Sequence, residues 1–279
     1  MEMPVYLLLL FTNDNIINTI YFLYMDILLT NDDGIKGHGI WALYHSLSKF
    51  ANVTIVAPKS NMSGIGRVTS YDQDIQIEPI EEGYVLAGTP ADCVIIGLKA
   101  FGFQPDIVIS GCNRGANVGY YSLGRSGTIS AAIEATFLGF PSISSSLFIP
   151  LGAYPYTPSP DEYIHAANAT AYIVRNVVES KLLKESEYLN VNSPMTANTP
   201  PNMVLTIPSV LCEMDAHLLD EHSARVNDEV WAKMRDSKIS DSPGTDRQTV
   251  IDGDISISHL SSTEKSVSSM ALSNILSSY

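Results

Sequence analysis

The sequence predicts an α/β protein built on a doubly wound, mostly parallel sheet, and three observations carry that expectation. Short apolar segments, several of them β-branched, recur along the chain. Each ends in a small, polar loop, and a stretch with helical spacing follows most of them. Alternation of this kind through residue 192 favours βαβ units, whose crossovers put helices on both faces of a parallel sheet.

Asp26-Ile27-Leu28-Leu29-Thr30 reads as the first buried strand, and Ile40, Leu43, Tyr44 and Leu47 then recur at helical spacing. Val53 to Ala57 is β-branched and closes at Pro58, marking a second parallel strand that runs into the polar loop Lys59 to Thr69. Short strands are expected around Ile75-Gln76-Ile77 and Tyr84-Val85-Leu86. Thr89 then caps a helix with Pro90 in its first turn and Val94, Ile95 and Leu98 on its apolar face. Asp106 to Ser110 is another buried strand, followed by the Gly- and Asn-rich stretch Gly111 to Gly119, read as a loop that suits close backbone approach to a ligand. Ser126-Gly127-Thr128 leads into a helix over Ile129 to Leu138, and Pro141 to Ser144 returns to the sheet. Ser159 caps a helix reaching Glu179, and Tyr188 to Asn192 is a strand. Beyond about Pro208 apolar residues thin out, and a strand over Asp254 to Leu260 and a short tail helix are expected to pair outside the core. The chain thus divides into residues 1–24, a core over 25–208 and an extension over 209–279.

Composition narrows the function. With 279 residues, 45% of them hydrophobic, the chain can bury a sizeable core. Its formal charge of −14 opposes binding to a nucleic-acid polymer, so a bound phosphate needs a mediating cation. Cys93, Cys112 and Cys212 are odd in number and widely spaced, which fits neither a disulfide framework nor a zinc site and points to a reducing cytoplasm. Residues 1–24 carry only Glu2 and Asp14 as charges and lack the basic start and cleavage pattern of a secretory signal. Their apolar runs are broken at Asn13 to Asn15 and Asn18, short of the roughly 20 apolar residues that span a bilayer, so no membrane association is expected. Leu8 to Asn15 is a loose echo of Ile27 to Gly34 without the second aspartate and the glycine. Met25, directly before the first strand, is a candidate biological start.

The most informative stretch is Thr30-Asn31-Asp32-Asp33-Gly34, two carboxylates at the end of a buried strand. Ligands in open α/β sheets bind outside such strand ends, where helix N-termini also point. Adjacent aspartates repel unless a cation or hydrogen-bond donors compensate, which suggests a hard divalent ion with oxygen ligands. The same letters also fit a solvated turn that caps the next helix. Three further loops carry oxygen-bearing or small residues: Ser60 to Gly66, Ser110 to Gly119, and Arg125 to Thr128. Each alone is an ordinary turn or cap. Their convergence on one sheet edge would form a metal and phosphate site.

Together these segments resemble the SurE survival-protein family, metal-dependent nucleotidases with a Rossmann-like core. The resemblance rests on Leu28 to Ile35, Val56-Ala57-Pro58, Ser63 to Gly66, Gly88 to Val94, Pro105 to Asn117 and Ser126-Gly127-Thr128, with weaker echoes at Tyr188 to Pro194 and Gly253 to Ile257. It implies hydrolysis of nucleoside 5′- or 3′-monophosphates. One divalent cation, magnesium or manganese, would be held by Asp32, Asp33, Ser63 and Asn113, with Asp32 and Asp33 also catalytic and Asn117 touching the phosphate. It further implies a homodimer or homotetramer formed through a C-terminal hairpin and tail. Chemically, a water activated by the metal or by Asp32 would attack phosphorus while backbone N–H groups of Ser126, Gly127 and Thr128 cradle the other oxygens.

This chain departs from the family at two places beside the expected site. Arg125 stands where an aromatic or histidine is common, and is either a phosphate contact or a solvated charge. Cys112 stands at an aliphatic position and reads as a packed side chain, with no histidine adjoining it. His38 lies in the loop after the aspartates and is a further candidate to approach substrate, and Tyr120 and Tyr121 are candidates to stack on a base. A haloacid-dehalogenase-type phosphatase needs Asp-x-Asp, whereas Thr30 and Gly34 stand two residues either side of Asp32. A metal-nucleotide-binding stress-response module without turnover fits the same loops.

Overall fold

A computed structural model describes residues 25–150, 156–195, 201–236 and 238–263. The segment 1–24, with its echo of the first strand, and the expected tail helix lie outside the described residues. The first half is the expected alternation: β1 (Met25–Thr30), α1 (His38–Leu47), β2 (Ala51–Pro58), β3 (Ile77–Ile80), β4 (Gly83–Leu86), α2 (Pro90–Ile95, continued by a π turn), β5 (Ile107–Arg114), α3 (Gly119–Leu123), α4 (Gly127–Phe137) and β6 (Ser142–Phe148). A 3-10 turn at Pro160–Tyr163 then leads into α5 (Ile164–Ser180), β7 (Glu187–Pro194) and β8 (Met203–Leu205). The chain continues through β9 (Met214–Leu218), β10 (Ala224–Asp228), α6 (Glu229–Arg235), α7 (Asp246–Ile251) and β11 (Ile255–Ser261).

Nine strands form one sheet in the order β3-β4-β2-β1-β5-β6-β7-β11-β8. The six from β4 to β7 run parallel, whereas β3 and β11 are antiparallel to their neighbours β4 and β7. Side chains of β1 alternate between two cores, as the two-residue period of a strand requires. Ile27 and Leu29 pack with α1 and α5 residues such as Leu43 and Val174, while Leu28 packs on the other face with Val94 of α2 and Ala131 of α4. The chain passes from β1 to β2 on one side and later to β5 on the other, so β1 and β5 meet at the switch point where doubly wound sheets open a crevice.

Local chemistry explains the element starts. Thr89 caps α2 through a capping box: its hydroxyl accepts from the Asp92 N–H, and Asp92 accepts from the Thr89 N–H. Ser159 and Glu162 form a second box ahead of α5.

Three expectations are corrected. The strand expected at Ile75 to Ile77 lies instead at Ile77 to Ile80, because the short Glu81-Glu82 connection sets the hairpin register and pairs Ile80 with Gly83. Pro79 is tolerated there because β3 is an edge strand. The stretch after Ser110 continues as strand to Arg114, with a register shift against β6 between Ser110 and Asn113. At that bulge a Cβ on Gly111 would lie 2.2 Å from the Ser145 carbonyl oxygen, so only glycine fits. Finally, the strand expected to pair outside the core is β11, which lies in the main sheet between β7 and β8. Its serines Ser256 and Ser258 look like an outward face in sequence, yet both are buried and bonded to the Thr206 hydroxyl.

Outside the sheet, β9 and β10 form an antiparallel two-stranded ribbon. Its register places Ala216, Leu218, Ala224 and Val226 on one face, and all four are solvent-exposed.

Candidate active site

The carboxyl ends of β1 and β5 gather the residues singled out above. Asp32 is 3% exposed. Its Oδ1 accepts the Thr128 hydroxyl proton at 2.5 Å, and its backbone carbonyl accepts the Met62 N–H at 2.7 Å, which draws the loop after β2 onto the end of β1. Burial pushes the Asp32 carboxyl up to about 6, against the pull of the Thr128 hydroxyl and with help from the Asp33 charge. Asp33 accepts the Arg114 backbone N–H at Oδ2 (2.9 Å) and the Asn61 amide at Oδ1 (3.4 Å). Its acidity is also weakened, by burial foremost. Among the described residues neither carboxylate takes part in an ion pair.

The start of α4 packs against Asp32. A Cβ on Gly127 would lie 2.8 Å from the Asp32 Cβ, so glycine is what lets the helix come this close. The Thr128 backbone also bonds Asp32 and lowers its pKa. Ser126 accepts the Ile129 N–H and so caps the helix. Thr128 therefore spends its hydroxyl and its backbone N–H on Asp32, and the Ser126 N–H is taken by the Ser122 carbonyl at 2.9 Å, so of the three expected phosphate donors the Gly127 N–H is the one without a partner among the described residues.

Ser63 is exposed in the loop after β2, and its N–H bonds Asn61, the residue that reaches Asp33. Asn113 is nearly buried near the end of β5, and its amide nitrogen donates to the Gly115 carbonyl at 2.8 Å, leaving the side-chain oxygen free. Asp32, Asp33, Asn113, Ser126, Gly127 and Thr128 thus share one rim, with the Ser63 loop attached to it. Asn117, in the segment between β5 and α3, bonds Ser146 of β6 and Asn190 and Asn192 of β7, with no direct bond to the aspartates among the described residues. The donors are all hard oxygens, and a buried and a half-buried carboxylate stand side by side without an ion-pair partner among the described residues, which is the chemistry a divalent cation fits. Among the described residues no group of three or more His, Cys, Asp and Glu side chains is placed to hold a metal, so a cation here depends on neutral oxygens as well.

The remaining candidates resolve individually. Arg125 is exposed and lies 4.4 Å over the Tyr121 ring, while its carbonyl accepts the Gly66 N–H. Cys112 is fully buried and its thiol is pushed up to about 12 by burial, the state of a packed side chain and not of a nucleophile. The His38 Nδ1 lies 3.0 Å from the Pro158 carbonyl oxygen. Tyr120 is exposed on α3.

Sequence reasoning missed Asn190 and Asn192 on β7. Both are fully buried, and both donate their amides to the Asn117 carbonyl, at 2.8 and 3.1 Å. The signal was present as two amides at alternate positions of an otherwise buried strand, which must find partners on one face. A cleft of about 510 Å³ opens beside Asn113 and Gly115, lined also by Arg235 of α6 and by the stacked rings of Phe148 and Trp231.

The comparisons with known proteins agree with this geometry. Residues 27–211 match the family model described as survival protein SurE. The chain is 42% identical over 261 residues to a 5′-nucleotidase SurE of Natronomonas pharaonis, covering 91% of this chain and 100% of that protein. A 5′-nucleotidase SurE of Geobacter sp. is 36% identical over 242 residues, covering 85% of this chain and 92% of its own. The crystal structure of the SurE protein from Aquifex aeolicus superposes with a TM-score of 0.73 at 28% identity, covering 90% of this chain and 99% of that one. A family model matched over residues 27–211 and relatives about 40% identical over nine-tenths of the chain show that the chain belongs to the SurE survival-protein family.

Proposed function

We propose that the protein is a metal-dependent phosphomonoesterase that hydrolyses nucleoside 5′-monophosphates, and 3′-monophosphates as well, to nucleoside and phosphate. The observation that carries this reading is the Asp32–Asp33 pair at the switch point of the sheet, with Asp32 buried, Asp33 half-buried and neither in an ion pair among the described residues. Asp32, Asp33, Ser63 and Asn113 would hold one magnesium or manganese ion, which when bound supplies Lewis-acid polarisation and a water of lowered pKa.

The chain's own residues account for the rest. Thr128 fixes Asp32 through Oδ1, so Oδ2 is the atom that takes the proton of the attacking water. Asp33 is oriented by the Arg114 N–H. The Asn117 side-chain amide and the Gly127 N–H at the start of α4 bind phosphate oxygens. The cleft next to Asn113 has room for a nucleoside, with the stacked Phe148 and Trp231 rings as one apolar side. The nucleoside leaves as an alcohol.

Two attributes accompany the activity. The exposed apolar face of the β9–β10 ribbon supports a homodimer or homotetramer built through it. All three cysteines are free thiols, which supports a cytoplasmic setting, and no helix among the described residues is long and apolar enough to cross a membrane.

Purified protein assayed with a panel of nucleoside monophosphates should release phosphate with manganese and stop with chelator. Chelator-insensitive release would overturn the metal assignment. Nucleotide binding without release would make the protein a binding module.

A further inference from the structure

We infer that Asp246 and Arg247, at the start of α7 and beyond the segment matched by the family model, are positioning residues that hold the Asn117 loop in its phosphate-binding form. The inference rests on the reading of Asn117 given above.

The loop between β5 and α3 must carry Asn117 past the strand ends and then reverse at Gly119, where φ is +79°. On the side of the sheet, Asn117 is held by β6 and β7. Its N–H donates to the Asn192 Oδ1 at 2.7 Å, its carbonyl takes the two asparagine amides, and its own amide donates to the Ser146 hydroxyl at 3.0 Å. Held only there, the loop would pivot about Asn117.

The second fixing point comes from the far end of the chain. Asp246 is fully buried, and its Oδ2 accepts the Gly119 N–H at 2.7 Å. Its Oδ1 accepts the N–H groups of Ser209 (2.9 Å) and Arg247 (2.7 Å). Arg247 is itself 3% exposed, and its Nη1 donates to the Ser209 hydroxyl at 2.9 Å and to the Leu211 carbonyl at 3.2 Å. The Ser209 carbonyl in turn accepts the Tyr120 N–H at 2.9 Å. Gly119 and Tyr120 are therefore each gripped by a group that the Asp246–Arg247 pair places, two and three residues from Asn117. A Cβ on Gly119 would meet the Arg247 Nη2 at 3.0 Å, so the fit is close on both sides. Burying a guanidinium is costly, and Arg247 offsets part of that cost through Asp241 at 3.5 Å, while its Nε has no partner among the described residues. The bonds of this pair land on the phosphate-binding segment.

The test uses the full chain with manganese. Asp246→Asn puts an amide NH₂ against an N–H donor, and Arg247→Gln frees Ser209 while leaving the carboxylate in place. Asp246→Asn should raise KM for a nucleoside monophosphate and weaken inhibition by inorganic phosphate, each by about 10- to 100-fold, with a smaller fall in kcat and unchanged manganese affinity. Arg247→Gln should act in the same direction to a lesser extent. Amide hydrogen exchange at Gly119 and Tyr120 should speed up by at least about tenfold in both. If Asp246→Asn fails to fold, Arg247→Gln decides. Folded variants with a lower melting temperature but unchanged KM, phosphate inhibition and exchange would overturn the inference. A wild-type protein without phosphatase activity would sink the hydrolase reading instead, and amide exchange would still decide the clamp.

Discussion

Asp32 concentrates the energetics of the site in one side chain. Its carboxyl titrates near 6 in the fold, against 3.8 in an unfolded chain, because burial penalises the charge. A raised acid contributes stability that is complete below the unfolded pKa and is lost as pH climbs through the folded one. Chelator-treated protein should therefore lose about 3 kcal/mol of unfolding free energy between about pH 4 and pH 7. Urea titrations at the two ends of that range, beside the same titrations of Asp32→Asn, isolate the effect, since the amide has no charge to desolvate. Equal pH dependence in the two proteins would contradict it. Thr128 opposes the shift, so Thr128→Val should raise the Asp32 pKa further. The acid limb of the pH–rate profile should then move upward by about 1–2 pH units, costing more activity at pH 6 than at pH 8.

Helix and strand meet most tightly where α1 crosses β5. A Cβ on Gly39 would fall 1.9 Å from the Cys112 carbonyl oxygen, so Gly39→Ala must push α1 off the bulged end of β5, at a cost of about 2–4 kcal/mol. Because Cys112 adjoins Asn113, thermal melts and turnover should fall together. At this scale the limits of sequence reading have physical causes. The β1 carboxylates, the α2 cap and the Ser126 cap were legible because each is encoded within a few neighbouring residues. The Asn190, Asn192 and Asp246 bonds to the Asn117 loop span 73 to 127 residues, and although the alternating amides of β7 announce a need for partners, no local pattern says which partners they find. Gly111 and Asn113 were recognised as site residues but not as strand, since a glycine-rich bulge and a loop share one composition. The fold of β11 was hidden by serines that turn inward to meet Thr206.

For the molecule as a whole, the ribbon of β9 and β10 is the feature whose apolar face stays open among the described residues. Leu218 is 80% and Val226 67% exposed on its apolar face. Leu218→Asp with Val226→Asp should shift the protein to monomer in sedimentation or light-scattering measurements while leaving the melting temperature nearly unchanged. A lower melting temperature at unaltered mass would assign the ribbon to the chain's own fold.

The insertion of β11 between β7 and β8 also governs what happens on the ribosome. β7 is complete at Pro194, but the strand that covers its far side is not made until Ile255. Throughout that interval the nascent sheet ends in bare N–H and carbonyl groups, a template for pairing with another unfinished chain. Translation stopped at residue 208 should accordingly give insoluble product, and extension to residue 263 should restore solubility, as measured by partition between supernatant and pellet.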